Sequence, residues 1–310
     1  MILLISKAHQ FPQIIGFGFL AYTLGLRHAF DADHIAAIDN TVRKLVQQKE
    51  EPTGVGFFFS LGHSTVVFIM TLLTVVSMKW AQIHAPQLKE IGSIIGAAVS
   101  GGFLIFIGIL NLFVWIDIYK VFAVMRKGEY VEDTTEQLLL NRGLISRFFS
   151  SLYRFINKSY HVYPLGFLFG LGFDTASEVA LLAISANAAT QSVPPSVIFS
   201  LPVLFAAGMS LMDKADGIFM TTAYNWTFKT PIRKIYYNLS VTGLSVIAAL
   251  CIGVIELAQI IVSKLQLNSG IWEWIQNLNF GVIGYFLVGL FIITWIFSYF
   301  IWLVIKPEKP

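Results

Sequence analysis

Nine residues near the start of the chain, Arg27 to Ile35, read RHAFDADHI and set His28, Asp31, Asp33 and His34 inside an otherwise apolar stretch. At bilayer depth an ionisable side chain costs about 3 kcal/mol or more unless it is paired, hydrated or bound to an ion. On one continuous helix His28, Asp31 and His34 fall at i, i+3 and i+6, spread over about 120° of its surface. Asp33 points elsewhere, to orient a histidine or to face the exit. Neutral imidazole and carboxylate suit Ni(II), Co(II) or Zn(II), and the scarcity of sulfur nearby argues against Cu(I). A polar helix end with Arg27 paired to Asp31 is the plainer alternative, but two histidines flanking two aspartates exceed what an ion pair needs.

Three further polar clusters interrupt apolar runs. FSLGHSTVV, residues 59–67, carries His63 between Gly62, which permits close helix approach, and the hydroxyls of Ser64 and Thr65. His63 can serve as an interhelical hydrogen-bonding group or as a ligand. LGFDTASE, residues 171–178, puts Asp174 and Glu178 at i and i+4, hence on one helical face. Two such carboxylates repel in a low-dielectric site, and a dication or a basic side chain from another helix resolves the repulsion. GMSLMDKADG, residues 208–217, spaces Asp213 and Asp216 at i and i+3, with Lys214 available to pair with either.

The elements that must hold these groups are helices in a membrane. Of 310 residues 56% are hydrophobic and 13% charged, and the mean hydropathy is +0.70. Those values exclude an ordinary soluble domain, and a net charge of +3 gives no reason to expect nucleic acid. A single cysteine, Cys251, excludes an intrachain disulfide and a thiolate cluster. Hydropathy predicts an all-α, polytopic transmembrane bundle of about seven spans, near 11–38, 55–78, 91–117, 163–189, 195–222, 235–263 and 280–305. The whole chain, 1–310, reads as one membrane domain with an amphipathic loop over about 118–162. Fifteen Lys and Arg lie in one set of alternate connections and the tail, against three in the other set. That bias puts the C-terminus in the cytoplasm and, with seven crossings, the N-terminus outside.

Spans one and four both carry Phe-Asp within a polar run, at Phe30-Asp31 and Phe173-Asp174, and spans two and five both carry Gly-x-Ser, at Gly62 and Gly208. The intervals are similar, 31 residues from Asp31 to Gly62 and 34 from Asp174 to Gly208. With spans one and four running in opposite directions, we expect two inverted three-helix units, spans one to three and four to six, plus an added seventh. Transporters commonly bind their substrate between such units near the midplane.

Taken together the four clusters resemble the signatures of the nickel/cobalt transporter family, from about Gly16 to the last span. His28, Asp33 and His34 match that family's hallmark of His, four residues, then Asp-His. LGHSTVV and LGFDTASE match two further signatures, and GMSLMDKADG matches a fourth in part, with Lys214 where the family has Thr. The resemblance implies a single-component secondary permease importing Ni(II) or Co(II) across the cytoplasmic membrane, with no ATPase subunit and no prosthetic group. It also implies eight spans, one more than hydropathy finds here. On this reading His28, Asp33, His34 and His63 are the expected ligands. Asp31, Ser64, Asp174, Glu178, Asp213 and Asp216 line the path or support the ligands, and Lys214 modulates affinity. The partners are the metal ion and the lipid bilayer. Efflux is the first alternative. An intramembrane metalloenzyme is the second, opposed by the absence of His-Glu-x-x-His and of any nucleophile with its base.

Overall fold

The computed structural model describes residues 9–76, 78–126, 156–172, 175–191, 193–228, 235–267 and 269–304. Among them every regular element is helical. Five helices are long and apolar enough to cross a membrane: Val55–Val76, Glu90–Lys120, Pro195–Asn225, Tyr237–Leu265 and Phe280–Phe297. They correspond to spans two, three, five, six and seven. The connection expected near 79–90 is helical instead and continues span three, which runs over Met78–Arg126. Most of the loop expected over 118–162 lies outside the described residues.

Spans one and four are not single helices, which corrects the sequence reading. Span one is α1 (Gln13–His28) and α2 (Ala32–Gln47), and span four is α5 (Tyr163–Gly170) and α6 (Ala176–Thr190), with α3 (Val55–Val76) and α4 (Met78–Arg126) between the pairs. Both first halves end the same way. Phe30 and Asp31 donate backbone N–H bonds to the Arg27 and His28 carbonyls, and Leu171 and Gly172 donate to those of Leu168 and Phe169. These tightened i→i+3 turns satisfy carbonyls orphaned at a helix end. Each second half then restarts after an extended residue, Asp31 at φ −65°, ψ 140° and Thr175 at φ −81°, ψ 144°. Asp and Thr favour that position because their side chains compete with the helical ladder. His28, Asp31 and His34 therefore straddle a break, and the regular face expected for them does not exist.

The remaining elements among the described residues are a 3-10 turn over Ser159–Val162, the short α7 (Pro195–Ile198), α8 (Ser200–Phe228), α9 (Ile235–Leu265), α10 (Ile271–Gln276) and α11 (Phe280–Val304). Packing between the halves is reciprocal. A Cβ on Gly25 of α1 would lie 2.0 Å from the Phe205 carbonyl oxygen of α8, and one on Gly166 of α5 would lie 2.0 Å from the Phe59 oxygen of α3. Gly208 meets Tyr22 and Leu26 as Gly62 meets Tyr163 and Phe167, again backbone against Cα. In the third pair Gly101 of α4 faces the Gly253 carbonyl of α9, and Gly253 faces that of Gly101. Span two thus grips the first half of span four as span five grips the first half of span one.

The half-helix α2 lies enclosed by the others. Thirteen of its sixteen residues are buried, including Asp39, Asn40, Arg43 and Lys44. α11 seats directly on the break ahead of it: a Cβ on Gly284 would stand 1.6 Å from the Phe30 carbonyl oxygen, and the Phe30 and Tyr285 rings stack at 4.8 Å.

Candidate metal centre

The break in span one places His28 as the last residue of α1 and His34 in the first turn of α2. α3 brings His63 against both. The three imidazoles are buried, and one donor atom from each lies within 4.8 Å of the others. His28 Nε2 and His63 Nε2 are 2.9 Å apart. A metal–imidazole bond of about 2.1 Å would hold two nitrogens roughly 3 Å apart at a right angle, so this spacing suits two ligands of one ion. Neither ring nitrogen of His34 has a hydrogen-bond partner among the described residues, nor does His63 Nδ1. A buried unpartnered nitrogen is costly in a permanently apolar site, and a shared cation gives it a partner.

Span four supplies the acid. Glu178, in the first turn of α6, sets Oε1 2.8 Å from His63 Nε2 and 3.9 Å from His28 Nε2. Thr175 Oγ1 donates to Glu178 Oε2 at 2.9 Å and lies 3.3 Å from His28 Nδ1. Asp31 Oδ2 is 3.1 Å from that same Nδ1, the relation by which a carboxylate fixes the tautomer and aim of a ligating imidazole. From span five, Asp213 Oδ2 stands 3.5 Å from His34 Nδ1, and neither Asp213 oxygen has a hydrogen-bond partner among the described residues. Both half-helix N-termini converge here, so their positive dipole ends would oppose a cation. The acidic side chains Asp33 and Glu178 in those first turns counter that field.

Of the residues named from the sequence, His28, His34, His63, Asp31, Glu178 and Asp213 come together. Ser64 is buried next to His63 on α3, and its hydroxyl has no hydrogen-bond partner among the described residues. Asp33, expected as a ligand, is half-buried and is not one of the three side chains whose donor atoms converge. Asp174 lies outside the described residues. Asp216 borders a cavity of about 250 Å³ lined otherwise by apolar side chains including Phe30, Phe219 and Phe291. Lys214 is exposed while Asp213 beside it is buried, because adjacent helical positions diverge by about 100°. The pairing of Lys214 with the span-five acids that the sequence allowed is therefore not made.

Two features escaped the sequence reading. Glu178 sits among the histidines rather than behind them, which only the folding of span four against span two reveals. The second is a buried network on α2. Asp39 accepts from the Tyr224 hydroxyl, Arg43 Nη2 donates to Tyr224 at 2.9 Å and to Ser245 at 3.0 Å, and Asn111 donates to Asn40 at 2.6 Å. Its signal was the run of polar residues after Ile38, past the expected end of the span.

Comparison with known proteins supplies a context for this geometry. The family model described as "High-affinity nickel-transport protein" matches residues 14–301. The chain is 56% identical over 289 residues to the nickel transporter NixA of Staphylococcus aureus, covering 93% of this chain and 86% of that protein. It is 50% identical over 292 residues to the nickel transporter NicT of Mycobacterium tuberculosis, covering 93% and 78%. It is 39% identical over 289 residues to the cobalt transport protein NhlF of Rhodococcus rhodochrous, covering 91% and 81%. No solved structure matches.

Proposed function

This chain belongs to the high-affinity nickel-transport protein family, and from that premise we propose that it is a multi-pass membrane transporter importing Ni(II), Co(II) or both. The observation that carries the reading is the buried convergence of His28, His34 and His63 with Glu178 between spans one, two and four. In this account His28, His34, His63 and Glu178 take the ion directly. Asp31 orients His28, and Asp213 holds His34 and receives the ion next. Asp33 and Asp174 gather the cation, Ser64 stands beside His63, and Asp216 continues the path.

The chemistry follows from what the ion must exchange. A hydrated dication loses water only where nitrogen and oxygen donors replace it, and neutral imidazoles with one carboxylate do so without thiolate. Because His28, His34 and Glu178 lie on half-helices that end at breaks, small rotations of those segments against His63 change which side reaches the donors. That is the plan of carriers built from inverted units. The membrane is the cytoplasmic one, with the C-terminus inside by the positive-charge bias. The protein acts alone, without an ATPase subunit and without a resident cofactor, and it performs no hydrolysis.

Uptake of radioactive nickel into proteoliposomes containing the purified chain, with cobalt, zinc and manganese as competitors, tests this. Saturable accumulation inhibited by cobalt is expected. Binding without accumulation would overturn transport, and metal-dependent hydrolysis without flux would restore the enzyme alternative.

A further inference from the structure

Past the histidines, α2 carries a buried charge that metal coordination does not use. Arg43 is 1% exposed. Its Nη2 is tied to the Tyr224 and Ser245 hydroxyls and its guanidinium lies 4.8 Å from the Tyr224 ring centroid, while Nε and Nη1 have no hydrogen-bond partner among the described residues. One turn earlier Asp39, wholly buried, uses one oxygen on Tyr224, and its Oδ2 has no hydrogen-bond partner among the described residues, though the Arg43 charge is close enough to act on it. Asp216 is close enough to both Asp213 and Asp39 for their charges to interact, and its Oδ2 likewise has no hydrogen-bond partner among the described residues. The acids thus form a string from His34 through Asp213 and Asp216 to Asp39, with a half-satisfied guanidinium at the end away from the histidines.

That arrangement answers a problem every carrier of a dication faces. After release, the acids that held the ion are left buried and without a counter-charge, and uncompensated carboxylates in a low-dielectric interior oppose any motion that keeps them there. A soluble cation cannot solve this without being transported itself. A guanidinium on the protein can: it stays charged at physiological pH, and its flat fork of donors matches carboxylate oxygens. We propose that Arg43 is the tethered counter-charge of the empty carrier, pairing with Asp39 and Asp216 once the metal has left so that the emptied site can return. The inference rests on the transport reading above and extends it to the return step.

An empty-carrier role separates two fluxes. Net uptake requires the unloaded protein to return, whereas exchange of external for internal nickel uses only loaded crossings. Proteoliposomes containing wild type or R43Q are therefore assayed for net uptake of radioactive nickel and, after preloading with unlabelled nickel, for exchange. R43Q is expected to lose net uptake by about tenfold or more while exchange stays within about threefold of wild type. R43K, which keeps the charge and discards the fork, is expected to retain at least about threefold more net uptake than R43Q. Equal loss of both fluxes in R43Q marks a merely structural residue and overturns the inference, as does undiminished net uptake. Where R43Q does not reach the bilayer, R43M is read by the same criteria, and net uptake in R43K as low as in R43Q is itself contrary. If wild type performs neither flux, it is the transport reading that fails.

Discussion

His28 and His63 lie 35 residues apart in the chain and bring their Nε2 atoms to 2.9 Å, with Glu178 Oε1 2.8 Å from the second of them. Two imidazole nitrogens that close can share one proton or one metal, and the acid beside them favours whichever positive charge sits there. Replacing any member should therefore remove transport without unfolding the bundle. For His28→Ala, His63→Ala and Glu178→Gln we expect nickel uptake to fall by about tenfold or more, with the protein still in the membrane. Immunodetection in membranes alongside initial uptake rates checks this, and normal uptake in all three would remove the cluster from the path.

Protons compete for the same nitrogens. A histidine ligand must be neutral, and an ordinary imidazole takes up its proton near pH ~6.5. The sign follows: lowering pH protonates ligands and weakens binding, and raising it restores them. KM for nickel should rise steeply as pH falls below about 6, with Vmax less affected. Initial rates between about pH 5.5 and 8 measure this, and a KM flat across that range speaks against imidazole ligands.

Close backbone contact between the two units is a packing requirement at particular glycines. A Cβ on Gly62 would stand 2.1 Å from the Tyr163 carbonyl oxygen, whereas one on Gly102 meets nothing within 4 Å. Gly62→Ala should destabilise by about 1–3 kcal/mol and Gly102→Ala hardly at all. Thermal unfolding in one detergent compares them, and equal midpoints contradict the packing described.

Lys214 follows Asp213 directly in the chain, yet its side chain is exposed while that of Asp213 is buried. An exposed charge is screened by solvent and salt. Lys214→Thr should leave the nickel KM within about twofold of wild type. A large gain in affinity would show that the lysine reaches the path.

Much of this was legible before any fold was known. Imidazole and carboxylate types within apolar runs marked His28, His34, His63, Glu178 and Asp213, because lipid makes such residues expensive unless they act together. The Gly-x-Ser segments marked Gly62 and Gly208, which the fold uses in parallel close approaches, to Tyr163 and to Tyr22 respectively. Hydropathy could not see the breaks at Ala29–Asp31 and before Thr175, since a break changes backbone angles and leaves composition untouched. It also ended span one at Ile38, hiding Asp39 and Arg43, because a window average penalises polar residues even where a polar helix is wholly enclosed by others. Direct contact of Glu178 with the histidines depends on how span four packs on span two, a long-range fact that no local spacing encodes.

X-ray absorption at the nickel K-edge of the purified full chain loaded with nickel is the most direct test of the central claim. Imidazole scattering from three histidines is the predicted result, reduced by one in His63→Ala. A spectrum of oxygen ligands without imidazole, or one unchanged in that variant, would contradict it.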